Sequence, residues 1–153
     1  VSNLTIGGEI VKEKQIGIEI RILANLICRC LNELGFNEEH NGLTGPQGLV
    51  LGYLYDHQDK DIFQKDIEAT FNIRRSTATG LLQCLEGNGF VKRVSVDYDA
   101  RLKKIVLTTK AHEFKELLES HIQKMEEILV KDLEPQEVDD LIRIIGKIKK
   151  NLE

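Results

Sequence analysis

From Phe71 to Thr108 the chain reads FNIRRSTATGLLQCLEGNGFVKRVSVDYDARLKKIVLT. Its apolar spacing changes from the helical period to strand alternation at Gly89, which restricts it to one helix followed by a two-stranded ribbon. The helix runs from Arg74 to Asn88 with Leu81, Leu82 and Leu85 inward, and Gly89 ends it. Phe90–Val96 alternates apolar and polar residues. Asp97-Tyr98-Asp99-Ala100 is a turn, and Arg101–Leu107 returns with Leu102, Ile105 and Leu107 as its apolar side. A helix about 10–12 Å across fits the major groove of B-DNA. A basic ribbon beside it can hold phosphates or reach the neighbouring minor groove.

Charge supports this reading once it is located. The chain has 153 residues and a net charge of −4. Between Arg74 and Lys104 lie seven basic residues and three acidic ones, which is +4, so the remainder carries −8. Screening limits the reach of a charge to about 8 Å at physiological salt, so local sign governs contact with phosphate.

The flanking sequence is helical. Residues 11–35 form one long amphipathic helix, with Ile16, Ile20, Leu23, Ile27, Cys30 and Leu34 in a continuous stripe and Gly35 as its stop. A polar connection spans 36–43. Thr44 caps the next helix, Gln47 completes a capping box and Pro46 sits in the first turn; this helix fades near Gln58. A short helix follows from Ile62 to Phe71, with Asn72 suited to a left-handed end. After the ribbon, Thr108 or Thr109 caps a long helix to about Leu133, and Pro135 starts the last one. Both carry long apolar stripes that the central helices are too few to cover. A second copy of the chain, packed through both termini about a two-fold axis, is the economical partner.

Other classes find little support. No apolar run reaches the length of a membrane span, and no basic segment followed by an apolar run marks a signal peptide. The three cysteines are an odd count; Cys28 and Cys30, two apart on a helix, point in different directions and do not pair. A reducing cytoplasm is the simplest setting, and buried, inert thiols are the expected state of all three. His40, His57, His112 and His121 lack metal-ligand spacing. No glycine-rich phosphate loop or nucleophile motif is present, so the reading is not an enzyme and needs no cofactor.

Four motifs occur in register: Leu43-Thr44-Gly45-Pro46-Gln47 with Leu49-Val50-Leu51; Ser76-Thr77-Ala78-Thr79; Leu85-Glu86 with Gly89-Phe90-Val91-Lys92-Arg93; and Asp99-Ala100-Arg101 closing on Leu107-Thr108. In this order the chain resembles the MarR family of bacterial transcription regulators, over nearly its whole length. The resemblance implies a mainly α fold with a small β-hairpin wing: a winged helix-turn-helix domain at 36–108, a dimerisation helix at 1–35 and dimerisation helices at 109–153. Three positions depart from the family pattern. Gly80 stands where Arg is frequent, Arg74 replaces a small capping residue, and Ala111 stands where Gly commonly follows the second wing strand.

The candidate DNA-binding residues follow from chemistry and resemblance together. Ser76, Thr77 and Thr79 open the reading helix, where short hydroxyls touch base edges or phosphates; the plainer reading is that Ser76 or Thr77 only caps the helix. Gln83, one turn past Thr79, is within reach of adenine. Arg74 and Arg75 suit phosphate or guanine, or form a solvated basic turn. The counterpart of Arg101 enters the minor groove in the family, with Asp99 orienting its guanidinium; a plain surface ion pair is the alternative. Lys103 and Lys104 point to opposite sides of the strand, so one favours phosphate and the other solvent. The resemblance further implies a homodimeric repressor on palindromic double-stranded DNA, released by a small aromatic or phenolic effector. A thiol-based redox sensor using Cys28 or Cys30, with Arg29 between them to lower a thiol pKa, is one rival. A winged-helix protein-interaction module that has lost DNA binding is another.

Overall fold

The computed structural model describes residues 4–6, 9–11, 15–36 and 43–153. By compactness the chain divides into two units, 1–45 and 46–153.

In the first unit, β1 (Leu4–Ile6) and β2 (Glu9–Val11) pair antiparallel, with Leu4 opposite Val11. Helix α1 covers Ile16–Leu31 and finishes in a wider π-type turn over Asn32–Phe36. The expected helix from residue 11 therefore starts later: Val11 belongs to a strand, and residues 12–14 lie outside those described. Gly35 falls inside the π-type turn instead of stopping the helix. The expected connection at 36–43 lies mostly outside the described residues. The stripe along α1 is exposed, Ile16, Ile18, Ile20 and Leu23 each by nearly half.

The second unit contains α2 (Gly45–Asp56), β3 (Ile62–Phe63), α3 (Gln64–Thr70), α4 (Arg75–Gly87), β4 (Val91–Val96), β5 (Asp99–Leu107), α5 (Thr109–Val130) and α6 (Pro135–Lys150). The three strands form one antiparallel sheet in the order β3-β5-β4. Ile62 and Phe63 were expected to open a helix, yet they pair with Ile105 and Lys104. Two features explain the change. The Ile62 side chain is buried in the sheet, and the Asp66 carboxylate accepts the Phe63 N–H at 2.8 Å, so Phe63 is the N-cap and the helix begins at Gln64, two residues later than expected. The ribbon turn is also tighter than expected. Val96 already pairs with Asp99, leaving Asp97-Tyr98 as a two-residue turn, and a register shift after Ser95 absorbs the extra residues on β5.

The core of this unit gathers Val50, Leu51 and Leu54 of α2, Ile67 of α3, Ala78, Leu82 and Leu85 of α4, and Phe90 and Leu118 beyond it. Two backbone positions need a left-handed conformation. Asn72 (φ 48°) makes the turn from α3 to α4 and Gly89 (φ 77°) releases the chain from α4 into β4. Where α4 ends, three segments are tied together. The Thr108 hydroxyl donates to the Gly89 carbonyl at 2.6 Å, the Thr108 N–H donates to the Phe90 carbonyl at 3.1 Å, and the Lys110 ammonium donates to the Asn88 carbonyl at 2.8 Å. Thr108 is at the same time the N-cap of α5, its oxygen accepting the Ala111 N–H. The long helix expected to reach Leu133 stops at Val130, with Leu133 in the turn before Pro135. Along α6 no residue is buried, and Leu141, Ile142, Ile144 and Ile145 face outward together. Among the described residues no helix is long and apolar enough to cross a membrane.

Candidate nucleic-acid interface

Helix α4 is held by its inward residues Ala78, Leu82 and Leu85, all fully buried. At 100° per residue the opposite face carries Ser76, Gly80 and Gln83, and these three, with Arg74, Arg75 and Thr77, are exposed. Arg74 is extended (φ −70°, ψ 151°) and sits just outside the helix, which Arg75 begins. Thr79 is half-buried on the flank nearest α3. Its hydroxyl donates to the Arg75 carbonyl at 2.8 Å and accepts from the Gln64 amide at 2.9 Å. The same Gln64 amide nitrogen reaches Glu68 at 2.9 Å, so α3 and α4 are braced against each other. Sequence reasoning missed Gln64, because the start of α3 was placed two residues too early.

The wing carries its guanidinium in a fixed geometry. Arg101 donates from Nε to Asp99 Oδ1 and from Nη2 to Oδ2, each at 3.1 Å, and its backbone N–H adds a third bond to Oδ1 at 3.0 Å. The Arg101 side chain is nevertheless 90% exposed. The Arg101 side chain, and then its backbone N–H, hold the Asp99 carboxyl below its usual pKa. Alternation along β5 separates the two lysines as expected. Lys103 is exposed, whereas Lys104 is half-buried and bonds Asp61 at 2.8 Å. That hydrogen bond, with the Asp61 charge, raises the Lys104 pKa. Lys104 thus ties the wing to the turn after α2.

Phe63, Gln64, Lys65, Glu68, Arg75, Arg101, Leu102 and Lys103 line a groove of about 300 Å³ between the start of α3, the start of α4 and the wing. Four of its side chains are basic and one is acidic. Lys65 was also missed, and its sign beside the Arg74-Arg75 cluster was the available signal. Arg93 faces Glu86 at 3.6 Å and is partly neutralised there. The structure thus brings Arg75, Thr79, Arg101 and Lys103 to one side of the unit, while Lys104 turns to a neighbouring carboxylate.

The cysteines differ from expectation. Cys28 and Cys84 are exposed and Cys30 is half-buried. Cys84 lies 200° around α4 from Leu82 and so falls on the outward side. Among the described residues no group of three or more His, Cys, Asp or Glu is arranged to hold a metal.

Comparison with known proteins gives a consistent result. The sequence signature of the MarR family matches residues 41–102. The structure is similar to that of MepR from S. aureus in a MepR–DNA complex, with a TM-score of 0.82 at 27% identity over 91% of this chain and 99% of that one. The transcription regulator MarR from Oenococcus oeni PSU-1 gives a TM-score of 0.74 at 28% identity over 89% and 99%. The HTH-type transcriptional repressor YetL of Bacillus subtilis is 27% identical over 112 residues, 72% of this chain and 66% of that protein.

Proposed function

We propose that the chain is a DNA-binding transcription regulator of the MarR family, as the signature match over residues 41–102 and the likeness to MepR and MarR support, and that it is a repressor that binds a palindromic operator as a homodimer and is released by a small effector. The observation that carries this reading is the groove where Lys65, Arg75, Arg101 and Lys103 converge beside the outward face of α4. A duplex laid along α4 brings a phosphate backbone against that groove and the exposed guanidinium of Arg101 against the minor groove. The outward apolar face of α1, and separately that of α6, support a symmetric partner, since large exposed apolar patches mark interaction sites. Two reading helices then meet successive major grooves about 34–36 Å apart. Repression is supported by the YetL relative. Release by an aromatic acid or phenol follows from the family resemblance.

Selection of duplexes from a randomised library, followed by a salt series on the recovered DNA, tests the reading. The expected result is a palindrome whose log affinity falls steeply with log salt, by about 0.9 for each phosphate neutralised. No enrichment at low salt would leave a protein-interaction module as the better description. A second mode of release, by oxidation, is favoured by the exposure of Cys28. Peroxide-induced loss of DNA binding that survives in Cys28→Ser and Cys30→Ser would remove these two thiols as sensors.

A further inference from the structure

We propose that Thr79 reads the 5-methyl group of a thymine through its own methyl group, and that Gly80 lets α4 come close enough for so short a side chain to reach the base. The proposal rests on the operator-binding reading above and names one base contact within it.

A hydroxyl has one proton to donate and two lone pairs to accept with. The Thr79 proton is used on the Arg75 carbonyl at 2.8 Å, and one lone pair is taken by the Gln64 amide at 2.9 Å. Gln64 is itself held by Glu68 at 2.9 Å, which keeps the arrangement in place. Thr79 therefore has no proton left for guanine O6 or N7 or for thymine O4. Its methyl is the group remaining for an apolar contact, and in the major groove thymine alone offers an apolar partner. The remaining lone pair would instead favour the amino group of adenine or cytosine.

Gly80 gives the second observation. A Cβ placed there would meet nothing within 4 Å, so no packing inside the protein demands a glycine. Glycine is also a poor helix former, second only to proline. Its benefit must lie outside the chain. With Ser76 one turn earlier, it leaves a low strip of backbone beside Thr79 on the outward side of α4, and a low strip allows close approach to the base edges.

The test uses the full chain and a duplex that it selects from a randomised library. Each symmetric pair of thymines in that duplex is replaced in turn by uracil, which removes only the 5-methyl group. For the wild type, one pair is expected to weaken binding by about fourfold per half-site, the worth of one buried methyl. Thr79→Ser keeps both hydroxyl bonds and loses the methyl, so it should be insensitive to uracil at that pair while remaining sensitive elsewhere. Thr79→Val keeps the methyl, replacing only the hydroxyl, and should retain the effect, and Gly80→Ala should diminish it. The proposal is overturned if no uracil effect depends on Thr79, or if Thr79→Ser matches the wild type at every pair. Failure to enrich any duplex removes the operator reading and this contact with it. Enrichment without a Thr79-dependent thymine removes this contact alone.

Discussion

Arg101 and Asp99 illustrate what single residues contribute. Residues two apart on a strand share a face, so their pairing was legible in the sequence, and the structure adds its bidentate form. An exposed pair of this kind stabilises the fold little; its effect is to aim a charge. Arg101→Ala should therefore leave the melting temperature unchanged and weaken binding to the selected duplex, measured as Kd at fixed salt. Asp99→Asn should weaken binding less, because the guanidinium remains. The pH dependence has a definite sign. A carboxyl whose folded pKa is depressed makes its contribution above the unfolded value of about 3.9 and loses it as pH falls through the folded value. The clamp thus persists from pH 7 to 5, and NMR titration of Asp99 should show its midpoint moving up toward the ordinary value in Arg101→Ala, where only the backbone N–H remains to hold it down. Tyr55 behaves in the opposite sense. Burial, then the charge of Glu119, pushes its pKa to about 12, while its hydroxyl donates to the Ala111 carbonyl at 2.5 Å. This contribution is complete below about pH 10 and disappears as pH rises through the folded value. Tyr55→Phe should lower stability by about 1 kcal/mol in urea unfolding and remove a phenolate step at about pH 12. The Thr79–Gln64 contact was not legible, because it joins residues 15 apart through the crossing of two helices.

At the scale of elements, the sequence is most informative where period and punctuation agree. Helix α4 ends at the expected glycine, the turn residue Asn72 takes its left-handed conformation, and Pro135 opens α6. It is least informative where a strand is only two residues long. Asp66 marks Phe63 locally as the N-cap, but the hydrogen bonds that make Ile62-Phe63 a strand come from β5, about forty residues later. Cys84 shows a related limit, since its orientation depends on which of two adjacent faces of α4 meets the core. Two substitutions test the punctuation. Gly89→Ala adds a Cβ with room to spare, its nearest atom 3.9 Å away, so its cost should be the left-handed backbone alone, about 1–2 kcal/mol. Thr108→Ala removes the cap of α5 and the bond to Gly89, and should cost about 1–2 kcal/mol by thermal or urea unfolding. A loss well under 0.5 kcal/mol in both would contradict the described junction.

For the whole molecule, charge and apolar surface divide the work. Lys65, Arg75, Arg101 and Lys103 converge between α3, α4 and the wing, while the apolar stripes of α1 and α6 remain outward. Ile142, 64% exposed in the middle of α6, is the clearest probe of association. Ile142→Glu should shift the sedimentation coefficient toward that of a monomer and weaken binding to a palindrome by far more than binding to a single half-site, with helical content retained. The stripes were readable from spacing alone, but the sequence could not show how the reading helix is joined to the helices behind it. That joint is the triple tie of Thr108 and Lys110 to Asn88, Gly89 and Phe90. It fixes the end of α4 to the first turn of α5, a rod of 22 residues and hence about 33 Å long. The tie is a fulcrum at one end of a lever. A tilt of about 5° carries the far end of such a rod through about 3 Å, and the same angle turns the reading helix unless these bonds break. Whatever moves α5 therefore moves α4, and in the proposed dimer an angle at this hydrogen-bonded joint would set the spacing between the two reading helices.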